Sequence, residues 1–297
     1  MRSIDNTSSH LSAAQQTRMS WTKFIEDYDQ IPLVYQDVFN NHFLPGSKFP
    51  YTILVPAFAD FLRPDPEKLV CCSEQVITIF EKRSDKIRAT SLNYTSIHYV
   101  EVGTVLLHSW LTIFGMDQQG NPAAPSIQFN TVGEELFLPI LSRLRTSSGN
   151  LAVNQLEVEK ARFDYLSNIN FKFMNYGRRS IRKGDRVVKI IVQPEIRKEI
   201  LKVFGKSFSQ QISPAHILIL TNQEIISIRD GAMKTSTYGG IWNYIPRDML
   251  QFTSLREDEN GRLILGLEMR SDHKINMVFD ASQKPVIENF REEIQSN

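Results

Sequence analysis

Phe43–Phe58 (FLPGSKFPYTILVPAF) lies on Ile181–Ile196 (IRKGDRVVKIIVQPEI) without a gap. Gly46 falls on Gly184 and Pro56 on Pro194. The apolar Phe43, Phe49, Ile53, Leu54 and Phe58 fall on Ile181, Val187, Ile191, Val192 and Ile196. Further on, Cys72–Ile79 (CSEQVITI) lies on Thr221–Ile228 (TNQEIISI), with the offset moved from 138 to 149. A repeat on this scale calls for two copies of one unit rather than one large core. The second copy carries about 11 more residues, placed in or near Leu201–Pro214. With 297 residues, 41% of them hydrophobic, the chain has apolar material for two cores.

Within each copy the hydrophobic period is that of strands. Tyr51–Val55, Lys68–Cys72, Val76–Phe80, Ile87–Leu92, Ile97–Val102, Val105–Phe114 and Ser126–Phe129 are rich in β-branched and aromatic residues. In the second copy Asn170–Asn175, Val187–Val192, His216–Leu220, Glu224–Ile228, Ile241–Tyr244, Leu250–Leu255, Leu263–Met269 and Lys274–Phe279 read the same way. Helical spacing occurs from Trp21 to Phe43, where Pro32 should kink or divide the helix, and from Leu151 to Leu166. Each copy closes on an apolar stripe. In the first it is Leu136, Phe137, Ile140, Leu141 and Leu144, behind a Thr131/Glu134 capping box and bent at Pro139. In the second it is Val286, Ile287, Phe290 and Ile294, with Ser282 as N-cap. The chain thus divides into a disordered tail (1–20), an N-terminal helical segment (21–42), a first domain (43–149), a connecting helix (150–169) and a second domain (170–297).

In the second copy, Gly184-Asp185, then Leu220-Thr221-Asn222-Gln223-Glu224-Ile225, then Ile245-Pro246 resemble the bacterial pleckstrin-homology-like (GRAM-like) domain. The first copy departs from that pattern, with Cys72-Ser73 for the Leu-Thr and Ser96-Ile97 for the Ile-Pro step. The resemblance implies a mainly β, α+β chain. Its two tandem domains would be β-sandwiches or partly open barrels, each capped by its C-terminal helix. It implies no single function, since such domains host lipid binding, peptide binding and assembly.

The motifs point away from chemistry. The six histidines show no metal-ligand spacing, and nucleophile-elbow, dinucleotide and P-loop motifs are absent, so no catalytic residue, metal or cofactor is assigned. Glu257-Asp258-Glu259 before Asn260-Gly261 reads as a solvated hairpin tip, with a calcium site the alternative. The two cysteines, Cys71 and Cys72, are adjacent and close no useful disulfide loop. One should enter a core while the other faces the opposite side as a candidate thiol. No apolar run approaches a membrane span, and the first twenty residues lack a secretory h-region, so a cytoplasmic protein is expected.

Charge is uneven. Residues 1–149 hold 12 Lys/Arg against 15 Asp/Glu, and residues 150–297 hold 22 against 18. Ten basic residues lie between Arg178 and Lys206, opposed only by Asp185, Glu195 and Glu199. Among them Arg178, Arg179, Arg182, Lys183 and Arg186 form a candidate anion-binding set. The overall net charge of +1 argues against a nucleic-acid partner. Two functions stay open. The first is a non-enzymatic interaction or assembly module with a protein partner or a second copy. The alternative is a peripheral binder of anionic membrane lipid or another phosphorylated ligand through 178–206. An enzyme of unrecognised type is the third.

Overall fold

The computed structural model describes residues 21–44, 46–58, 65–84, 86–145, 153–203, 206–231, 239–270 and 273–295. The tail expected over 1–20 lies outside them. Among the described residues the fold is mainly β, in antiparallel sheets.

The chain enters on a short strand, β1 (Lys23–Ile25), a 3-10 turn (Tyr28–Gln30) and helix α1 (Leu33–His42). The helical segment expected from Trp21 is thus divided at Pro32, one of the two outcomes expected there, and its first part is strand and 3-10 turn rather than α-helix. The apolar spacing runs across Pro32, but Pro32 is the N-cap of α1, so α-helix begins only at Leu33. Four strands then form one sheet with β1: β2 (Tyr51–Val55), β3 (Lys68–Cys72), β4 (Val76–Arg83) and β5 (Lys86–Asn93). After a 3-10 turn come β6 (Ile97–Val105), β7 (His108–Met116), the two-residue β8 (Pro122–Ala123) and β9 (Ser126–Asn130), with β8 and β9 both pairing β7. A 3-10 segment (Thr131–Phe137) leads into α2 (Leu138–Leu144). Its N-cap is Asn130, whose side chain accepts from Val132 N, while the Thr131 hydroxyl donates to the Leu106 carbonyl. Pro139 sits in the first turn of α2, where it is tolerated, so the bend expected there has no cause.

The second half begins with α3 (Val153–Ala161), a 3-10 turn (Asp164–Asn168) and α4 (Phe171–Ser180). The strand expected over Asn170–Asn175 is therefore the N-terminal half of a helix, capped by the Asn170 side chain accepting from Phe173 N. Next come β10 (Val187–Gln193), the hairpin β11 (Ile196–Val203) and β12 (Lys206–Ser213), then β13 (His216–Thr221), β14 (Glu224–Asp230) and β15 (Gly240–Pro246). A 3-10 turn precedes β16 (Leu250–Glu257), β17 (Leu263–Met269) and β18 (Lys274–Phe279), and α5 (Lys284–Gln295) closes the chain.

The registers of the two halves correspond. Tyr51 pairs with Cys72 and Lys189 with Leu220, offsets of 138 and 148. Val76 pairs with Asn93 and Glu224 with Pro246, offsets of 148 and 153. The irregularity between Ile97 and Tyr99 in β6 recurs between Leu250 and Phe252 in β16. Helices α1 and α4 both span ten residues, again at offset 138. Gly46 and Gly184 both take the left-handed backbone, φ +85° and +102°, in the turn that leaves these helices. The second sequence block needs a one-residue correction. Ser73 Oγ accepts from Val76 N and Thr221 Oγ1 from Glu224 N, so Ser73, not Cys72, stands where Thr221 does. Matching apolar letters missed this, yet a slip of one exchanges the two faces of a strand. The extra residues form the β11–β12 hairpin, whose first pair, Ile196 with Ser213, answers the lone bridge Phe58–Asp65 of the first half.

The core falls into four apolar clusters. Ile53, Ile77, Ile113, Ile127, Phe137 and Ile140 fill the first half, under α2. Leu218, Ile225, Ile245, Leu265, Phe279, Ile287 and Phe290 fill the second, under α5. The outer faces of the two sheets are covered by Tyr35 and Phe39 of α1 and by Phe173 and Met174 of α4. The halves are joined by strand pairing. β15 lies antiparallel to β6 from Gly240–Thr104 to Tyr244–Val100, so one sheet runs β10-β13-β14-β15-β6-β7-β8.

Candidate functional site

Cross-strand neighbours on a sheet face share a row, and rows two residues apart share the same face. In the joined sheet Ile225 pairs with Ile245, and Ile245 and Tyr99 each lie one residue past the Tyr244–Val100 pair; all three belong to the second core. Two residues along, the row becomes Ser227, Asn243, Glu101, Thr112 and Ser126, all polar. Of this row, Ser227, Asn243 and Glu101 floor a groove of about 360 Å³. One wall is the edge of β18, from Lys274 to Val278. Ile212, Ser213 and Pro214, at the base of the long hairpin, form the rim. Tyr99 and Glu101 come from the first half and the rest from the second, so the β6–β15 pairing builds the site.

The β18 edge is open towards the groove. Asp280 N–H points outward and is taken by Gln193 Oε1. Backbone groups alternate along an antiparallel strand, so Val278 and Asn276 also point theirs outward. On the floor Asn243 Nδ2 donates to Ser227 Oγ at 3.1 Å, and Trp110 Nε1 donates to Glu101 Oε1 at 3.0 Å. His216 is 3% exposed. Its Nδ1 sits 3.1 Å from the Pro214 carbonyl, an acceptor, so Nδ1 carries the proton. Its Nε2 has no partner.

Burial first, and then the Arg229 guanidinium, pull the His216 pKa down to about 4, against the Pro214 hydrogen bond, which raises it. An unfolded imidazole titrates near 6.5. Between those values the unfolded chain binds a proton that folded His216 refuses, so stability falls as pH drops through the window. The expected loss is on the order of 1–3 kcal/mol, one pKa unit being about 1.4. Denaturant unfolding above and below the window checks this. His216→Asn, which keeps a donor to Pro214, should flatten that component, and equal losses in wild type and variant would contradict it.

The basic residues singled out in the sequence are divided between carboxylate pairs and solvent. Arg178 and Arg179 lie on the last turn of α4, where Arg178 pairs with Asp164 at 3.0 Å and Arg179 with Glu134 at 3.6 Å. Arg182 turns inward to Asp185 at 3.5 Å and Glu224 at 3.2 Å. Lys183 and Arg186 stay exposed. Three of the five thus have carboxylate partners within the chain. Glu224 also receives Arg145, the C-cap of α2, in a buried charge cluster. Arg145 Nε donates to Glu224 Oε2 at 3.2 Å, an NH₂ donates to the Ser180 carbonyl at 2.8 Å, and the guanidinium lies 3.6 Å over the Tyr244 ring. Cys71 and Cys72 are both buried, one in each apolar layer. Burial pushes both thiols up, Cys72 to about 12, so neither is an activated nucleophile at neutral pH. Asp258 closes the 257–259 tip as a turn residue, accepting from Asn260 N and Arg262 N. No helix among the described residues is long and apolar enough to cross a membrane.

No family model and no curated protein matches the chain. Sequence reasoning did not find the groove. Its only sign was polar letters inside apolar strands: Ser227 in EIISI, Asn243 in GIWNYI and Glu101 in HYVEV.

Proposed function

We propose that this chain is a non-enzymatic interaction module of two tandem pleckstrin-homology-like units. Each opens on an outer helix (α1, α4) and closes on a capping helix (α2, α5). The partner is a protein, which lays an extended segment in the second-half groove. One observation carries this reading: a polar row and an open strand edge face each other across a groove that both halves wall. Open edges accept an added strand through main-chain hydrogen bonds, and side chains beneath supply selectivity.

Asn276→Pro tests it. Asn276 is exposed and its N–H points outward, so proline there spares the β17–β18 ladder and blocks the edge. Wild-type protein should capture a sequence-restricted subset of an array of blocked peptides. The variant, with an unchanged unfolding midpoint, should lose at least roughly tenfold in affinity, about 1.4 kcal/mol. Capture of nothing by wild type, or equal capture by both proteins, contradicts the reading.

A further inference from the structure

We propose that the second-half groove binds a carboxylate, which takes the place that the Asp65 side chain fills in the first half. The inference rests on the groove being a binding surface and names what it takes.

The repeat supplies the comparison. Phe58 bridges Asp65 where Ile196 pairs with Ser213. Lys68 pairs with Glu81 where His216 pairs with Arg229. Trp110 pairs with Gln128 where Ile264 pairs with Val278. In the first half Asp65 is a plug. Its Oδ2 accepts from the Gln128 N–H at 3.0 Å, an outward edge donor of β9, and its other oxygen holds the buried Lys68 ammonium.

The second half keeps the edge N–H and loses the acid. Ser213 stands in place of Asp65, and its hydroxyl turns to the Pro214 carbonyl at 3.3 Å. Among the described residues no side chain accepts from the Val278 N–H as Asp65 does from Gln128. Arg229 replaces the carboxylate of Glu81, and its carboxylate contact, Glu101, is 3.9 Å away. His216 replaces Lys68, with Nε2 unpartnered. The groove thus offers an edge N–H, a guanidinium and an imidazole, and the one carboxylate of the chain that lines it, Glu101, stands 3.9 Å from the guanidinium.

A carboxylate there accepts from Val278 N–H with one oxygen and faces Arg229 and His216 with the other. Since Nδ1–H is committed to Pro214, Nε2 presents a lone pair until it is protonated. Binding therefore takes up one proton from solvent onto Nε2, and affinity rises as pH falls. The charged groups around His216 are Arg229 on β14, Glu101 on β6 and Lys274 on β18. Lys274 is held by Glu268 at 2.5 Å, which leaves Arg229 as the main fixed positive charge.

The test follows the Val278 amide and the His216 ring by NMR in the full chain. The probes are sodium acetate, the blocked peptide acetyl-Val-Asp-Val-amide and its Asn counterpart. Saturable shifts are expected, with the Asp peptide at least roughly tenfold tighter than the Asn peptide. Binding should also be at least roughly tenfold tighter near pH 5.5 than near pH 7.5. Ser213→Asp, which gives the groove its own acid, should abolish binding, and Arg229→Gln, at an exposed side chain, should weaken it. Acetate binding as tightly as the Asp peptide assigns the site to a free small carboxylate. Tighter peptide binding assigns it to an acidic protein segment. Equal binding of Asp and Asn peptides, pH-independent binding, or unchanged binding by Ser213→Asp and Arg229→Gln overturns the carboxylate while leaving a peptide groove. Absence of any shift from any probe, together with an empty peptide array, overturns both.

Discussion

Arg145→Leu is expected to lower the unfolding free energy by about 3–5 kcal/mol, the usual cost of removing one partner of a buried ion pair. Arg145 is 6% exposed and Glu224 3%. Without the guanidinium, Glu224 is left, among the described residues, with Arg182 at 3.2 Å, and the Ser180 carbonyl and Tyr244 ring lose the cation beside them. A double-mutant cycle with Glu224→Gln should show coupling well beyond the few tenths of a kcal/mol found for independent sites. Urea unfolding of the four proteins measures it. A loss below about 1 kcal/mol, as for an exposed pair, would show that the cluster is solvated and does not bind α2 to the second half.

Phe290→Ala should cost about 3–5 kcal/mol, since the ring is fully buried in the second core against Leu265 and Phe279. Val286→Ala, one turn earlier on the same helix, should cost less than about 1 kcal/mol, because Val286 is 37% exposed. The two variants share a helix and differ in burial. Similar shifts in unfolding midpoint would mean that α5 is not docked through Ile287 and Phe290.

That contrast marks how far the sequence was legible. The i, i+3, i+4 spacing of α5 was readable, and it pointed at Phe290 and Ile287 correctly. Val286 lies at the margin of the stripe, where periodicity does not separate buried from grazing positions. Strands were legible because β-branched runs in this chain are bounded by turn residues. The segment Asn170–Asn175 was not, because Phe171 and Phe173 alternate with Lys172 and Met174 and so mimic a strand over six residues. The Asn170 cap and the offset of 138 to Leu33 were the signals that would have found α4. Polar satisfaction was the least legible property. Arg178, Arg179 and Arg182 form a basic run in sequence, and their carboxylate partners come from other elements: Asp164, Glu134 and Glu224. The groove was hidden for the same reason. Ser227, Asn243, Glu101 and Val278 meet only through strand pairings distant in sequence.

The proposed function depends on one junction. Without β15 on β6, Tyr99 and Glu101 leave the groove and its floor is cut at Asn243. Backbone NOE measurements on the full chain address this directly. Cross-strand contacts between Gly240–Tyr244 and Val100–Thr104 are expected, in the antiparallel order Gly240–Thr104 to Tyr244–Val100, together with a single rotational correlation time for both halves. Halves that tumble independently and show no contact between these two strands would contradict the account.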